Sequence, residues 1–164
     1  MRELPIRWRV FLPLALVVGL SLLAAGPFIT RPGLPGWGDF PIHVYRAAEI
    51  GHILRDGVPF SRWAPDFYLG YGYPIFNYYP PLTYYLANLF ALVPGWGIVA
   101  GVKATFVLGM VLAGVGMYLW VRRTSCQPAL QETAAVVAAV AYVYALSLIH
   151  ISEPTRLGMS SYAV

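Results

Sequence analysis

Charge is scarce in this chain. Charged residues make up 11% of its 164 positions, hydrophobic residues make up 59%, and the mean hydropathy is +0.63. A soluble domain of this length cannot hide so much apolar surface, so the composition implies that lipid covers part of it. A single cysteine, Cys126, excludes an internal disulfide framework and leaves the redox compartment open. The net charge of +4 is small and the basic residues are scattered, which speaks against nucleic acid as a partner. There is no heptad seam, low-complexity tract or convincing internal repeat, so coiled coils and repeat arrays are excluded. One integral membrane unit is the simplest organisation.

What the chain has instead is a series of long apolar runs. Arg2, Arg7 and Arg9 stand against a lone Glu3, and an uncharged stretch follows over 10–29. Roughly 20 apolar residues can cross a hydrocarbon core about 30 Å thick. The positive-inside bias then puts the N-terminus in the cytoplasm and Arg31 outside. A cleaved signal peptide is the competing reading, with Ala24-Ala25-Gly26 as small residues near a cut. Pro27 directly after them, and the further apolar runs, favour an uncleaved helix.

The stretch over 36–86 gathers what ionisable chemistry there is. It holds Asp39, Glu49, Asp56 and Asp66, four of the seven acidic residues, together with His43 and His52, two of the three histidines. Pro41 suits the first turn of a helix and Asp56-Gly57 its end, which predicts a helix over 41–55. On that helix Asp39, His43 and Arg46 share one side. Tyr45, Glu49, His52 and Asp56 form a neighbouring polar face, while Val44, Ala47, Ala48, Gly51 and Leu54 face away. This pattern describes an amphipathic helix lying at a membrane surface. Residues 58–81 then carry five prolines and a dense aromatic set, including Trp63, Tyr68, Tyr71, Tyr73, Phe76, Tyr78 and Tyr79. Such rings suit either an interfacial belt or a cradle for a sugar or an isoprenoid chain, and the residues alone favour the belt.

Beyond the loop, the apolar segment 82–93 is short, bounded by Pro80-Pro81 and Pro94-Gly95. Counted as a span over 80–95 it barely crosses; otherwise it is re-entrant. The run over 98–121 is a stronger span, with Gly97, Gly101, Thr105, Gly109 and Ala113 recurring every four residues as a stripe for close helix approach. Arg122-Arg123 ends it, and the charge bias prefers those residues inside, which requires that 82–93 does not cross. A further apolar helix starts over 131–145. After Ala145 the pattern stops. Leu146–Arg156 matches a translation of a common transposase-type sequencing adapter, and Ser161–Val164 matches a later stretch of the same adapter. Residues 146–164 are therefore expected to be a non-native tail, and residues 1–145 a fragment of a longer protein.

The combination of a first span, an outside loop opening with an Asp, and a Pro-Pro-Leu-Thr-Tyr-Tyr lead into the next helix resembles the membrane glycosyltransferases of the GT-C superfamily. More narrowly, GDFPIHVYRAAEI followed by RWAPDFYLGYGYPIFNYYPPLTYYLANLF resembles a group of large bacterial polytopic proteins, the membrane "6-pyruvoyl-tetrahydropterin synthase-related" family. The resemblance covers about residues 7–145. It implies an all-α polytopic transmembrane fold whose long extracytoplasmic first loop, 30–80, carries the surface helix, in the cytoplasmic (inner) membrane. It further implies transfer of a sugar from a polyprenyl-phosphate donor at the outer face, and a true second span over 80–95 with Arg122-Arg123 outside.

By that likeness Asp39 matches the loop carboxylate that acts as general base or helps hold a divalent cation; its local alternative is a helix cap. His43, Arg46, Tyr78 and Tyr79 are the residues expected to meet the donor. No cofactor is firmly implied, and a divalent metal is left open. The pterin-synthase label carries no zinc chemistry here, since His43 and His52 lie nine residues apart without a third ligand nearby. A non-catalytic membrane scaffold or lipid-binding protein is the reading from another functional class.

Overall fold

Proline and glycine set most of the helix ends. The computed structural model describes residues 6–33, 40–125, 127 and 130–152, with side chains over 11–33, 40–125, 127 and 130–147. Among the described residues six α-helices follow in order: α1 (Ile6–Ala24), α2 (Gly26–Thr30), α3 (Phe40–Arg55), α4 (Leu82–Ala91), α5 (Ile98–Thr124) and α6 (Gln131–Ser152). The described residues contain no strand; Ala64 and Tyr73 pair as an isolated bridge. The fold is all-α.

The first apolar run is interrupted near its end. Pro27 has no N–H to give the Leu23 carbonyl and its ring crowds that position, so α1 stops at Ala24. The chain turns at Ala25 and resumes as α2 with Pro27 in its first turn. α3 begins at Phe40, beside the expected Pro41, and ends as the sequence predicts. Gly57 takes φ +82°, its N–H meets the Leu54 carbonyl at 3.1 Å, and the Val58 N–H meets the Ile53 carbonyl at 3.1 Å. These are the paired bonds of a Schellman cap, for which a glycine in the left-handed region is the best residue.

α4 follows Pro81 and is ten residues long. At 1.5 Å per residue it rises roughly 15 Å, about half of a hydrocarbon core. The helix at this place therefore falls short of the full span expected over 80–95, because Pro81 and the Pro94-Gly95 turn bracket it too closely. Among the described residues one helix, α5 at 27 residues, is long and apolar enough to cross a membrane. The backbone of α6 stays helical through Ala145 to Ser152, and residues 153–164 lie outside the described set.

The chain divides into two compact units. In one, comprising 1–30 and 107–164, Val17, Tyr118, Ala135 and Ala139 form the core. Gly114 is its closest approach: a Cβ there would stand 2.6 Å from Ser21 Oγ and 2.9 Å from Val143 Cγ2. Glu132 ties the end of α5 to the start of α6, accepting from Tyr118 Oη at 2.7 Å and Arg122 Nε at 2.6 Å.

The other unit, 31–106, packs α3 against α4 and the start of α5. Its core includes Ala47, Ile50, Ile53, Ile75, Phe76, Tyr84, Ala87 and Val102. Gly101 lets α5 close on α4, since a Cβ there would lie 2.1 Å from the Ala87 carbonyl oxygen. The small-residue stripe expected on α5 thus makes its contact at Gly101, while Gly97 and Gly109 face open space and Gly114, off the stripe, makes the second close approach.

Candidate functional site

α3 buries Ala47 and Gly51 from the apolar face its pattern suggests, and with them two charged residues that the pattern places elsewhere. Arg46 and Glu49, expected on exposed polar faces, are 9% and 5% exposed, while Ile42 and Leu54 point outward. Distant residues supply the reason. Glu49 Oε1 accepts the backbone N–H of Asp66 at 3.0 Å. The Arg46 guanidinium lies 3.9 Å over the ring of Tyr79, and its Nη1 donates to Tyr84 Oη at 3.4 Å. A charge buried with partners is tolerated where an isolated one is not.

Asn88 holds the two helices in this register. Its Nδ2 donates at 2.8 Å to both the Ala47 and the Tyr84 carbonyls, bridging α3 and α4. Gly51 makes room for it: a Cβ at 51 would stand 2.3 Å from Asn88 Oδ1. This clamp brings Tyr84, 4% exposed, onto His43 as well, with 3.1 Å between Tyr84 Oη and His43 Nδ1. His43 in turn meets Phe106 edge to face at 5.8 Å. A cavity of about 90 Å³ opens here, lined by His43, Thr83, Tyr84 and Thr105 and by the apolar Ala87, Val102 and Phe106.

Arg46 is a buried cation held by two tyrosines. Among the described residues no carboxylate forms an ion pair with it, and its Nε is buried with no hydrogen-bond partner. Burial by itself lowers the guanidinium pKa, but the hydrogen bonds and charge interactions with Tyr84 and Tyr79 outweigh it and the net direction is upward. The group therefore stays cationic at any pH at which the protein is folded. Such a cation is a ready partner for an oxyanion.

Of the residues expected at the site, His43, Arg46 and Tyr79 come together. Tyr78 is 72% exposed and its side chain makes none of these contacts. Asp39 lies outside the described residues. Tyr84 joins the site without having been singled out; a tyrosine inside an apolar helix needs a partner for its hydroxyl, and that need was the available signal. Among the described residues no three His, Cys, Asp or Glu side chains gather as metal ligands. His52 Nε2 sits 3.6 Å from Asp56 and 3.9 Å from Asp66, with all three side chains well exposed. The residues in view therefore do not make a divalent-metal site.

The aromatic loop forms a separate feature of the same unit. Ala64 and Tyr73 exchange N–H···O bonds of 2.8 and 2.9 Å across its neck. Tyr68 and Leu69 take φ +55° and +58°, a left-handed conformation that non-glycine residues adopt at a cost of about 1–3 kcal/mol each. Leu69 is 99% exposed. Tyr68, Leu69, Tyr71, Gly72 and Tyr73 line an open hollow of about 560 Å³. Gly72, at φ +79°, lies where a Cβ would be 2.3 Å from Trp63 Nε1. The loop is thus built both to be rigid at its neck and to present apolar surface at its tip.

No family model, curated protein or solved structure matches this chain.

Proposed function

We propose that the chain is part of a polytopic membrane protein that transfers a sugar from a polyprenyl-phosphate donor at the outer face of the cytoplasmic membrane, in the manner of a GT-C-like glycosyltransferase. The observation that carries this reading is Arg46: a buried cation that forms no ion pair with a carboxylate among the described residues, seven positions after Asp39. A donor phosphate supplies the missing negative charge. His43 offers a second polar contact and the cavity beside it accepts an apolar group. Asp39, immediately before α3, takes the acceptor hydroxyl's proton as general base. Transfer then forms a bond from the acceptor oxygen to the anomeric carbon and breaks that carbon's bond to the phosphate.

The length of α4 bears on topology. With α1 crossing outward and α4 re-entrant, α5 crosses inward and places Arg122-Arg123 in the cytoplasm, as the charge bias prefers. The 31–106 unit then faces the outside.

In the full-length protein, Asp39→Asn is expected to abolish sugar transfer from a polyprenyl-phosphate donor while expression and membrane insertion are kept. Unchanged transfer removes Asp39 from catalysis. The exposed tip at Leu69 and Tyr71 favours a second reading, a lipid-binding or scaffold protein without chemistry. Under that reading neither Asp39→Asn nor Arg46→Gln changes any transfer activity, and membrane partition is the property that loop substitutions alter.

A further inference from the structure

The tip of the aromatic loop is held in one shape by its own backbone. The Tyr71 N–H meets the Tyr68 carbonyl at 3.1 Å and the Gly72 N–H meets the Phe67 carbonyl at 2.8 Å, inside the Ala64–Tyr73 pair that closes the neck. Trp63 packs against Gly72, where a Cβ would stand 2.3 Å from its Nε1. A hollow fixed in this way is formed before any ligand arrives, so little ordering entropy opposes binding. Its volume of about 560 Å³ lies in the range that small-molecule sites occupy, and none of its five lining residues is charged. Three of the five are tyrosines. Tyr71 is 86% and Tyr68 66% exposed, and the Tyr68 and Tyr73 rings stand 5.0 Å apart at 49°. The left-handed Tyr68 and Leu69 store the kind of strain that ligand clamps carry.

We propose that this hollow is a binding site for a neutral saccharide, a pyranose whose ring substituents are all equatorial. A phenol ring presents a negative face. The axial C–H bonds on one side of such a sugar form a slightly positive apolar patch that matches it, and tyrosine supplies the face at low conformational cost. The phenolic hydroxyls both donate and accept, so they suit the sugar's equatorial hydroxyls. Other ligand classes fit this lining less well. An anion finds no cation among the lining residues. A quaternary ammonium group, which ring faces also attract, fills only a small part of the volume. An isoprenoid or acyl chain laid in an open hollow keeps much of its apolar surface in water, whereas the outward face of a sugar is polar. The inference goes beyond the transferase reading and does not rest on it.

The test is saturation-transfer NMR on the whole chain in a sugar-free polyoxyethylene detergent, with methyl β-D-glucopyranoside as the probe. Saturating the protein's aromatic protons is expected to mark H1, H3 and H5 of the probe, which share one face, more strongly than H2 and H4. Methyl β-D-allopyranoside, which differs only in an axial hydroxyl on that face, should bind several-fold more weakly. Tyr71→Ala removes an exposed ring without touching the neck and is expected to weaken glucoside binding about tenfold. Tyr71→Phe keeps the face and should lose about threefold, for the hydroxyl alone. Tyr45→Ala removes an exposed ring outside the hollow and should leave the affinity unchanged. Absence of transfer to the glucoside overturns the inference, as do equal binding of the two epimers, tighter binding of choline, or a Tyr71→Ala affinity equal to that of the parent. If Tyr71→Ala lowers partition into liposomes while the glucoside shows no transfer, the tip belongs to the bilayer and the saccharide site falls. Failure here with Asp39-dependent sugar transfer intact removes this site alone. Glucoside binding that follows the variants, without any sugar transfer by the full-length protein, removes the transferase reading alone.

Discussion

The guanidinium carbon of Arg46 lies over the ring of Tyr79, 3.9 Å from its centroid, and the two residues are 33 positions apart with the aromatic loop between them. This contact fastens the end of the loop to α3. Replacing Tyr79 by Leu keeps an apolar cover and removes the cation–π attraction. The expected loss is about 1–2 kcal/mol of stability for a partly desolvated pair, read by denaturation in detergent. Arg46 has its pKa raised, so its contribution is complete below the ordinary arginine range and fades only above it. The Tyr79→Leu effect should accordingly be the same at pH 6 and pH 9; a strong dependence on pH would show that a different group carries the interaction.

Gly51 and Asn88 should behave as a coupled pair. Gly51→Ala sets a methyl 2.3 Å from Asn88 Oδ1 and is expected to destabilise the α3–α4 pairing by about 1–3 kcal/mol, as overpacking does. Asn88→Ala removes the bridge to the Ala47 and Tyr84 carbonyls and costs about 1–2 kcal/mol for the two lost part-buried hydrogen bonds. The double variant should be clearly less damaged than the sum, because the clash has gone. Simple additivity in the double-mutant cycle would contradict this close contact.

Gly72→Ala tests the neck of the aromatic loop. A side chain at φ +79° is strained, and this one would also meet Trp63 at 2.3 Å. The loop should open, raising the rate of proteolysis between 64 and 73 several-fold while the helical content stays constant. Protection equal to the parent chain would mean that Trp63 moves aside freely.

Much of the local structure was legible in the sequence. Pro41 and Asp56-Gly57 bracket α3 because each acts through its own backbone chemistry, independent of what surrounds the helix. Gly101 was legible for a similar reason, lying on a regular spacing of small residues. The burial of Arg46 and Glu49 on α3 was not, since they are drawn inward by Tyr79, Tyr84 and the Asp66 N–H, partners 17 to 38 positions away. No periodicity in α3 encodes those partners. Gly114 escaped notice because its contacts, Ser21 and Val143, belong to helices far apart in the chain. Of the residues that the family likeness named, the structure brings His43, Arg46 and Tyr79 together and leaves Tyr78 apart, whereas Tyr84, which joins His43 to Arg46, was hidden inside an apolar helix.

The account depends most on the side of the membrane that the 31–106 unit faces. In a Cys126→Ser background, Leu69→Cys places a thiol at the most exposed point of the aromatic loop. A membrane-impermeant maleimide added to intact cells, with the outer membrane opened where one is present, should label Leu69→Cys fully, while Cys126 in the parent chain should react only after the cytoplasmic membrane is permeabilised. Labelling of Leu69→Cys only after permeabilisation would put the loop and its Arg46 site in the cytoplasm and contradict the outer-face reading.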